Sequence, residues 1–256
     1  NVPRDYWTQV IDIELPPIVR FERQGGGKDA IENAAKLLSK AKFPVILSGA
    51  GVVLGGAIDE CKKLAEKLDA PVCNGYQHND SFPGSHPLAV GPLGYNGSKA
   101  AMELISKADV VLALGTRLNP FSTLPGYGID YWPKKATIIQ VDMNPDRIGL
   151  TKKVSVGICG DAKQVAQQIL DKLSSDAGNT GREERKNLIH KTKSAWLQTL
   201  SGLDHEEDDP GTVWNKEARE RDKDRMSPRQ AWRAIQDALP QDCLLYTSPS
   251  PRDDSQ

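Results

Sequence analysis

Apolar residues along most of the chain fall into two alternating rhythms, one with the spacing of a helix face and one of short unbroken runs. From Asp29, the residues Ile31, Ala34, Leu37 and Leu38 recur at helical spacing through Lys40, and Pro44-Val45-Ile46-Leu47 then runs without interruption into Ser48-Gly49-Ala50-Gly51. A helix therefore feeds a buried strand, and the strand feeds a glycine turn. Ile58, Cys61, Leu64, Ala65 and Leu68 mark a second amphipathic helix, followed by the short strand Ala70-Pro71-Val72-Cys73 and a polar loop over residues 74–81. Proline is tolerated at the first position of such a strand. A loop over residues 91–97 precedes a short helix at 98–107, with Ala101, Leu104 and Ile105 on one side. The run from Ala108 to Leu114 reads as the central strand, closed by Gly115-Thr116-Arg117-Leu118-Asn119. Ala136 to Asp142 is a second buried strand, Asn144-Pro145-Asp146 a turn, and residues 154–159 a further strand. Asp161 is placed to cap the last helix, with Gln164 three residues on and Val165, Ile169, Leu170 and Leu173 facing inward.

Short apolar runs of this kind belong to parallel strands covered on both faces. The pattern predicts an α/β fold for residues 28–174, a three-layer Rossmann-like parallel sheet with helices on both faces and strand alternating with helix throughout. Ligands in open parallel sheets sit beyond the carboxyl ends of the strands, so Gly115 to Asn119 and Asp142 to Asn144 are where function is expected.

The flanks read differently. The chain opens without methionine, in Asn1-Val2-Pro3-Arg4-Asp5-Tyr6-Trp7, which resembles the middle of a domain. Leu15-Pro16-Pro17 and Gly25-Gly26-Gly27 then form a stiff and a flexible stretch, so residues 1–27 are expected to be the end of a preceding domain and its linker. Residues 175–225 are strongly charged and are expected to form a surface connector, with one amphipathic stretch at Leu188, Trp196 and Leu200. Ser227-Pro228 has the chemistry of a helix start, and Ala231, Trp232, Ile235 and Leu239 follow on one face, so 226–242 is expected to be the first helix of another domain. Residues 243–256 show no core pattern and resemble a translated sequencing-adaptor tail.

Composition narrows the function classes. The chain has 256 residues, a formal net charge of -1, 38% hydrophobic and 26% charged residues. That balance makes no electrostatic case for nucleic acid or an anionic membrane surface, and no apolar run is long enough to span a bilayer. A cytoplasmic protein acting on small molecules is expected. Cys61, Cys73, Cys159 and Cys243 contain no C-x-x-C pair, and His78, His86, His190 and His205 show no ligand spacing, so no metal site is expected.

Each candidate for chemistry has a structural alternative. The turn at Gly49 and Gly51 could bring backbone N–H groups against a phosphate, or be only a tight turn, since Gly55-Gly56 comes too late to complete a dinucleotide fingerprint. Asp142 could accept ribose hydroxyls or cap the next turn. Arg117 could hold an anion through its planar fork or pair with a carboxylate such as Asp130. Phe121, Tyr127, Tyr131 and Trp132 could line a pocket or pack beneath their loop, and the polar segment Tyr76-Gln77-His78-Asn79-Asp80 could bind ligand or water. No nucleophile and base pair stands out.

Six segments, taken in order, resemble a known family. They are Pro44-Val45-Ile46-Leu47-Ser48-Gly49-Ala50-Gly51, residues 64–72 from Leu64 to Val72, residues 82–88 from Phe82 to Leu88, Gly94-Tyr95-Asn96-Gly97, residues 108–117 from Ala108 to Arg117, and Val141-Asp142-Met143-Asn144-Pro145-Asp146-Arg147-Ile148-Gly149. Together they resemble the central domain of thiamine-diphosphate enzymes related to acetolactate synthase. Residues 76–87 and 118–133 are similar to the branch of that family which acts on sulfoacetaldehyde. The resemblance implies thiamine diphosphate and Mg2+ in a full-length homodimer or homotetramer, with sulfoacetaldehyde and phosphate converted to acetyl phosphate and sulfite. It also implies that the activating glutamate lies on the preceding domain and the magnesium motif on the following one, so this chain alone is expected to be inactive. Relatives that bind FAD use the central-domain cleft, often with a histidine where this sequence has Asn96, so the resemblance does not carry FAD over. Gly49, Gly51, Gly115, Thr116, Arg117 and Asp142 then read either as a vestigial nucleotide cleft or as structural turns. Gln77, His78, Arg117 and Asn119 are expected to line a substrate channel.

Overall fold

The computed structural model describes residues 22–94 and 97–203, together with isolated positions at 8–10, 12, 14, 17, 231, 234, 235, 238 and 239. Asn96, the helix start at Ser227-Pro228, most of the segment before Glu22 and the 243–256 tail lie outside the described residues. By contact density the chain divides into a unit over residues 1–190 and a second over 191–256.

The first unit holds a six-stranded parallel sheet. In chain order the elements are α1 (Lys28–Lys40), β1 (Pro44–Ser48), α2 (Ala50–Gly55), α3 (Ile58–Leu68), β2 (Val72–Asn74), β3 (Ala89–Pro92), α4 (Lys99–Ile105), β4 (Val110–Leu114), β5 (Thr137–Asp142), β6 (Val156–Cys159), α5 (Ala162–Lys172) and α6 (Arg182–Leu203). The spatial order is β3-β2-β1-β4-β5-β6. Every residue of β1 and β4 is buried, as the two unbroken apolar runs require, and the strands pair in register from Pro44 against Val110 to Ser48 against Leu114. β6, at the edge, buries only alternate residues, Val156 and Ile158.

Helix faces follow from spacing. Ile31, Ala34, Ala35 and Leu38 form the buried stripe of α1, and Cys61, Leu64, Ala65 and Leu68 that of α3. Both helices pack against α5, whereas α4 packs on β2 and β3, so the sheet is covered on two faces. Asp161 caps α5 as expected, its Oδ1 accepting from the backbone N–H groups of Lys163 at 3.1 Å and Gln164 at 3.2 Å. A cap of this type contributes about 1 kcal/mol.

Strict alternation of strand and helix does not hold. The connections over residues 75–88, 115–136 and 143–155 carry no α-helix, only the short 3-10 turns Asn79–Ser81, Pro120–Ser122 and Pro145–Arg147. Proline explains this: Pro83 and Pro87, then Pro120, Pro125 and Pro133, then Pro145 each lack the N–H that an interior helical turn needs. These three connections leave the carboxyl ends of β2, β4 and β5, where they shape the site.

The segment from residue 175 onward, expected to form a surface connector, is not exposed throughout: Ala177, Arg185, Ile189 and Thr192 are buried. Arg185, in the first turns of α6, is 1% exposed and donates only to backbone carbonyls, among them Leu68 and Asp69 at the end of α3. It satisfies helix-terminal carbonyls at the negative end of that helix's dipole. No helix among the described residues is long and apolar enough to cross a membrane.

Candidate functional site

The strand order reverses direction between β1 and β4, since β1 leads toward β2 on one side and β4 toward β5 on the other. A crevice opens at such a switch point, outside the carboxyl ends of the strands. Here it is a cleft of about 600 Å3, lined from α2 by Ala50, Gly51 and Leu54, from the loop after β2 by Gly75 to His78, and from the loop after β4 by Gly115, Thr116, Arg117 and Asn119. Asp142, Met143 and Arg147 close it from β5 onward, and Arg23 and Asp161 form the far wall.

The glycine turn is an instrument of close packing. The N–H of Gly49 donates to Leu114 O at 3.1 Å and that of Gly51 to Gly115 O at 2.8 Å. A Cβ on Gly51 would sit 2.7 Å from Gly115 Cα, and one on Gly49 would sit 2.6 Å from Thr116 Cβ. Both amides that could have cradled a phosphate are therefore engaged within the backbone, and Gly115, which accepts from Gly51, adopts φ +61°. Gly51, Gly115, Thr116, Arg117 and Asp142 all line the cleft; Gly49 lies behind it.

Asp142 caps the following turn, its Oδ1 accepting from Asn144 N–H at 2.9 Å. Asn119 does the same for its own turn, its Oδ1 accepting from Phe121 N–H at 2.9 Å. Thr116 is buried, its hydroxyl accepting from Leu118 N–H at 3.2 Å.

The charges are unevenly satisfied. Arg23 donates to Gly55 O and pairs with Asp161 Oδ2 at 3.7 Å, so its guanidinium is committed. Arg117 and Arg147 enter no ion pair among the described residues, and Asp130, the carboxylate proposed to brace Arg117, is instead 2.7 Å from Lys134. Two guanidinium groups that enter no ion pair among the described residues favour an incoming anion on this cleft.

The Gln77-His78 loop and the Arg117 loop are joined. Tyr76 stacks on Phe121 with ring centroids 5.6 Å apart, and Tyr76 N–H donates to Ser122 Oγ at 2.8 Å. Gln77 and Leu118 are held at φ +66° and +53°, a region that costs non-glycine residues of order 1 kcal/mol or more. His78 is half-buried, with Nδ1 4.0 Å from Asp80 Oδ1. Behind them Ser48, Asn74 and Ser81 form a buried hydrogen-bonded group that fixes the first loop, Asn74 Nδ2 donating to Ser81 Oγ at 3.0 Å.

The aromatic residues of the second loop brace it and do not line the cleft. Tyr131 is buried and donates to Ser122 O at 3.0 Å, Tyr127 donates to Gly97 O at 3.1 Å, and Lys152 lies over the Trp132 ring at 5.2 Å. Met143 falls in the Asp142 to Asn144 segment where function is expected, whereas sequence reasoning missed Arg23 and Arg147 as lining residues. The Asn144-Pro145 turn, which folds Arg147 back over the end of β5, was the available signal for one of them.

Comparison with known proteins agrees with this architecture. The chain is 76% identical over 96% of its length to a Rhizobium meliloti protein named "Probable sulfoacetaldehyde acetyltransferase", and 74% identical over 96% to "Sulfoacetaldehyde acetyltransferase" from Roseovarius nubinhibens. It is 35% identical over 79% of its length to "Probable acetolactate synthase large subunit" from Methanocaldococcus jannaschii, covering 33% of that protein. The chain spans about two fifths of the length of the first two, 42% and 41%. Among solved structures, benzoylformate decarboxylase from Polynucleobacter necessarius superposes with a TM-score of 0.54 at 23% identity, covering 69% of this chain and 33% of that one, a likeness of fold. The model of the family "Thiamine pyrophosphate enzyme, central domain" matches residues 31–169, more than half of the chain, so the chain belongs to the thiamine pyrophosphate enzymes and carries their central domain.

Proposed function

We propose that this chain is the central part of a thiamine-diphosphate-dependent acetyltransferase that converts sulfoacetaldehyde and phosphate to acetyl phosphate and sulfite, working as a homodimer or homotetramer. The observation that carries the reading is the identity of 76% over 96% of the chain to a protein named for that activity, against 35% over 79% to one named for acetolactate synthesis.

The residues of the cleft do not themselves fit a thiamine diphosphate and magnesium centre. Among the described residues no three His, Cys, Asp or Glu side chains gather as metal ligands, and the cleft carboxylates are occupied, Asp142 with Asn144 and Asp161 with α5 and Arg23. The cofactor, its magnesium and the activating glutamate are therefore assigned to other parts of the full-length polypeptide. The cofactor supplies the carbanion chemistry.

This chain's part is recognition of the anion. A sulfonate keeps its charge at all working pH values, so its site calls for fixed donors, which a guanidinium fork provides. Arg117 presents such a fork at the end of the central strand, with Asn119, Gln77 and His78 on the same cleft. A dinucleotide reading has less support, because the Gly49 and Gly51 amides already donate within the backbone.

The test is an exchange of residues 1–240 of this chain into the Rhizobium meliloti relative, followed by assay of sulfite and acetyl phosphate. The exchanged enzyme is expected to be active, while the 256-residue chain alone releases no sulfite. Arg117→Ala in that enzyme should lower kcat/KM for sulfoacetaldehyde about ten- to a hundredfold, the worth of one charge-assisted hydrogen bond, and leave thiamine diphosphate affinity unchanged. An exchanged enzyme that condenses pyruvate and releases no sulfite would overturn the proposal.

A further inference from the structure

We propose that Gln140 is a positioning residue for this cleft, a buried amide that sets the placement of Arg117 and Arg147 relative to each other. The inference rests on the reading of Arg117 as an anion contact.

Gln140 is the polar residue in the middle of β5, flanked by Ile139 and Val141 in the chain and paired in register with Ala113 on one side and Gly157 on the other. It is 1% exposed. A primary amide so placed destabilises the fold unless its donors and acceptor find partners. All its partners are loop backbone. Nε2 donates to Thr116 O at 3.1 Å and to Arg147 O at 3.1 Å, using both of its protons, and Oε1 accepts from Gly149 N–H at 2.9 Å. One side chain thus ties the loop after β4, one residue from Arg117, to the turn that carries Arg147. Thr151 adds a second tie between the same segments, its hydroxyl donating to Leu118 O at 2.9 Å.

Leucine or valine at position 140 would suit the strand better. An amide whose three hydrogen bonds all converge on the two cation-bearing loops is explained by a need to hold those loops. A fixed tie between the two loops keeps both arginines at the cleft. Gln140→Met preserves length and burial and removes all three bonds. Gln140→Glu keeps the acceptor for Gly149 N–H but turns a donor pair into a charge facing two carbonyls, and is at least as damaging.

The experiment uses the 256-residue chain, with isethionate, a stable two-carbon sulfonate, as the probe. Affinity is measured by titration calorimetry for the wild type, Gln140→Met, Arg117→Ala and the double variant, and amide hydrogen exchange is followed in parallel. Gln140→Met is expected to weaken isethionate about tenfold, and the double variant to bind no more weakly than Arg117→Ala, because the amide acts through that arginine. Exchange should accelerate in residues 116–119 and 147–151 alone, whereas Ile139→Val, on the same strand, leaves those segments protected. Losses that add in full, or exchange in the two loops that matches the Ile139→Val control, overturn the proposal. A wild type that binds no isethionate overturns the Arg117 reading instead, and the exchange measurement still decides whether Gln140 holds the loops.

Discussion

Replacing Arg185 with methionine removes a buried charge whose hydrogen bonds, among the described residues, all go to backbone carbonyls. Its Nε donates to Asp69 O at 2.9 Å, Nη2 to Leu68 O at 2.9 Å and Gly178 O at 2.5 Å, and Nη1 to Lys42 O at 2.6 Å and Thr180 O at 2.9 Å. These carbonyls come from the α1–β1 connection, the end of α3 and the loop ahead of α6. Burial draws the guanidinium below its ordinary pKa and Asp69 partly restores it, but an arginine stays protonated throughout. Charge-assisted bonds contribute roughly 1.5 to 3 kcal/mol each, and five would total about 7 to 15 kcal/mol if they added. They do not add, because unfolding returns to the guanidinium a hydration worth several kcal/mol. Methionine fills the volume and leaves five carbonyls without donors, some of which regain water as residues 177–181 lift away. The expected loss is therefore about 3 to 5 kcal/mol, the cost of breaking a buried charged network from one side. Arg185→Lys, with three donors at most, should lose about half as much. Urea unfolding followed by circular dichroism measures both, and the larger loss corresponds to a fall in Tm of roughly 10 °C for a unit of this size. A loss below about 1 kcal/mol for Arg185→Met would mean that desolvation cancels the bonds and that the guanidinium does not fasten the start of α6.

Three further outcomes are expected. Asp130→Ala should leave both Tm and turnover of the exchanged enzyme within error, since Asp130 pairs with Lys134 on the surface; equal losses from Asp130→Ala and Arg117→Ala, with a lowered Tm, would restore the bracing role. Micromolar FAD should not raise the Tm of the chain, because the Gly49 and Gly51 amides are already committed, and a saturable rise would refute this. Burial pushes the Cys61 thiol up to about 12 from an ordinary value of 9.0, and raises Cys73 and Tyr131 as well. The unfolded chain then loses these protons first, so stability should hold up to about pH 9 and fall from there toward pH 12, by at most about 1.4 kcal/mol per pH unit for each group. Native-state alkylation should mark Cys159, which is exposed, and spare Cys61 and Cys73; a flat stability from pH 8 to 11 or early labelling of the buried thiols would contradict this.

What could be read from the residues and what could not divides along the range of the interactions involved. β1 and β4 are legible because a strand covered on both faces has to be apolar at every position, and Pro44 to Ser48 and Val110 to Leu114 meet that demand locally. The cleft's position follows from the ends of those strands. The lack of a crossover helix after β4 is legible too, because Pro120, Pro125 and Pro133 mark residues 118–133 as a loop. Arg147 could not be assigned to the site in the same way, because its approach to Arg117 depends on β5 lying beside β4. Arg185 sits in a segment of alternating charges, and its burial depends on carbonyls more than a hundred residues away, such as Asp69 O. Gln140 is the instructive case. Within β5 it follows Ile138 and Ile139 and precedes Val141, and a lone amide in such a run has to be satisfied from outside its own strand. The partners are invisible in the sequence, but the demand for them is not, and here that demand leads directly to the two loops that bear Arg117 and Arg147.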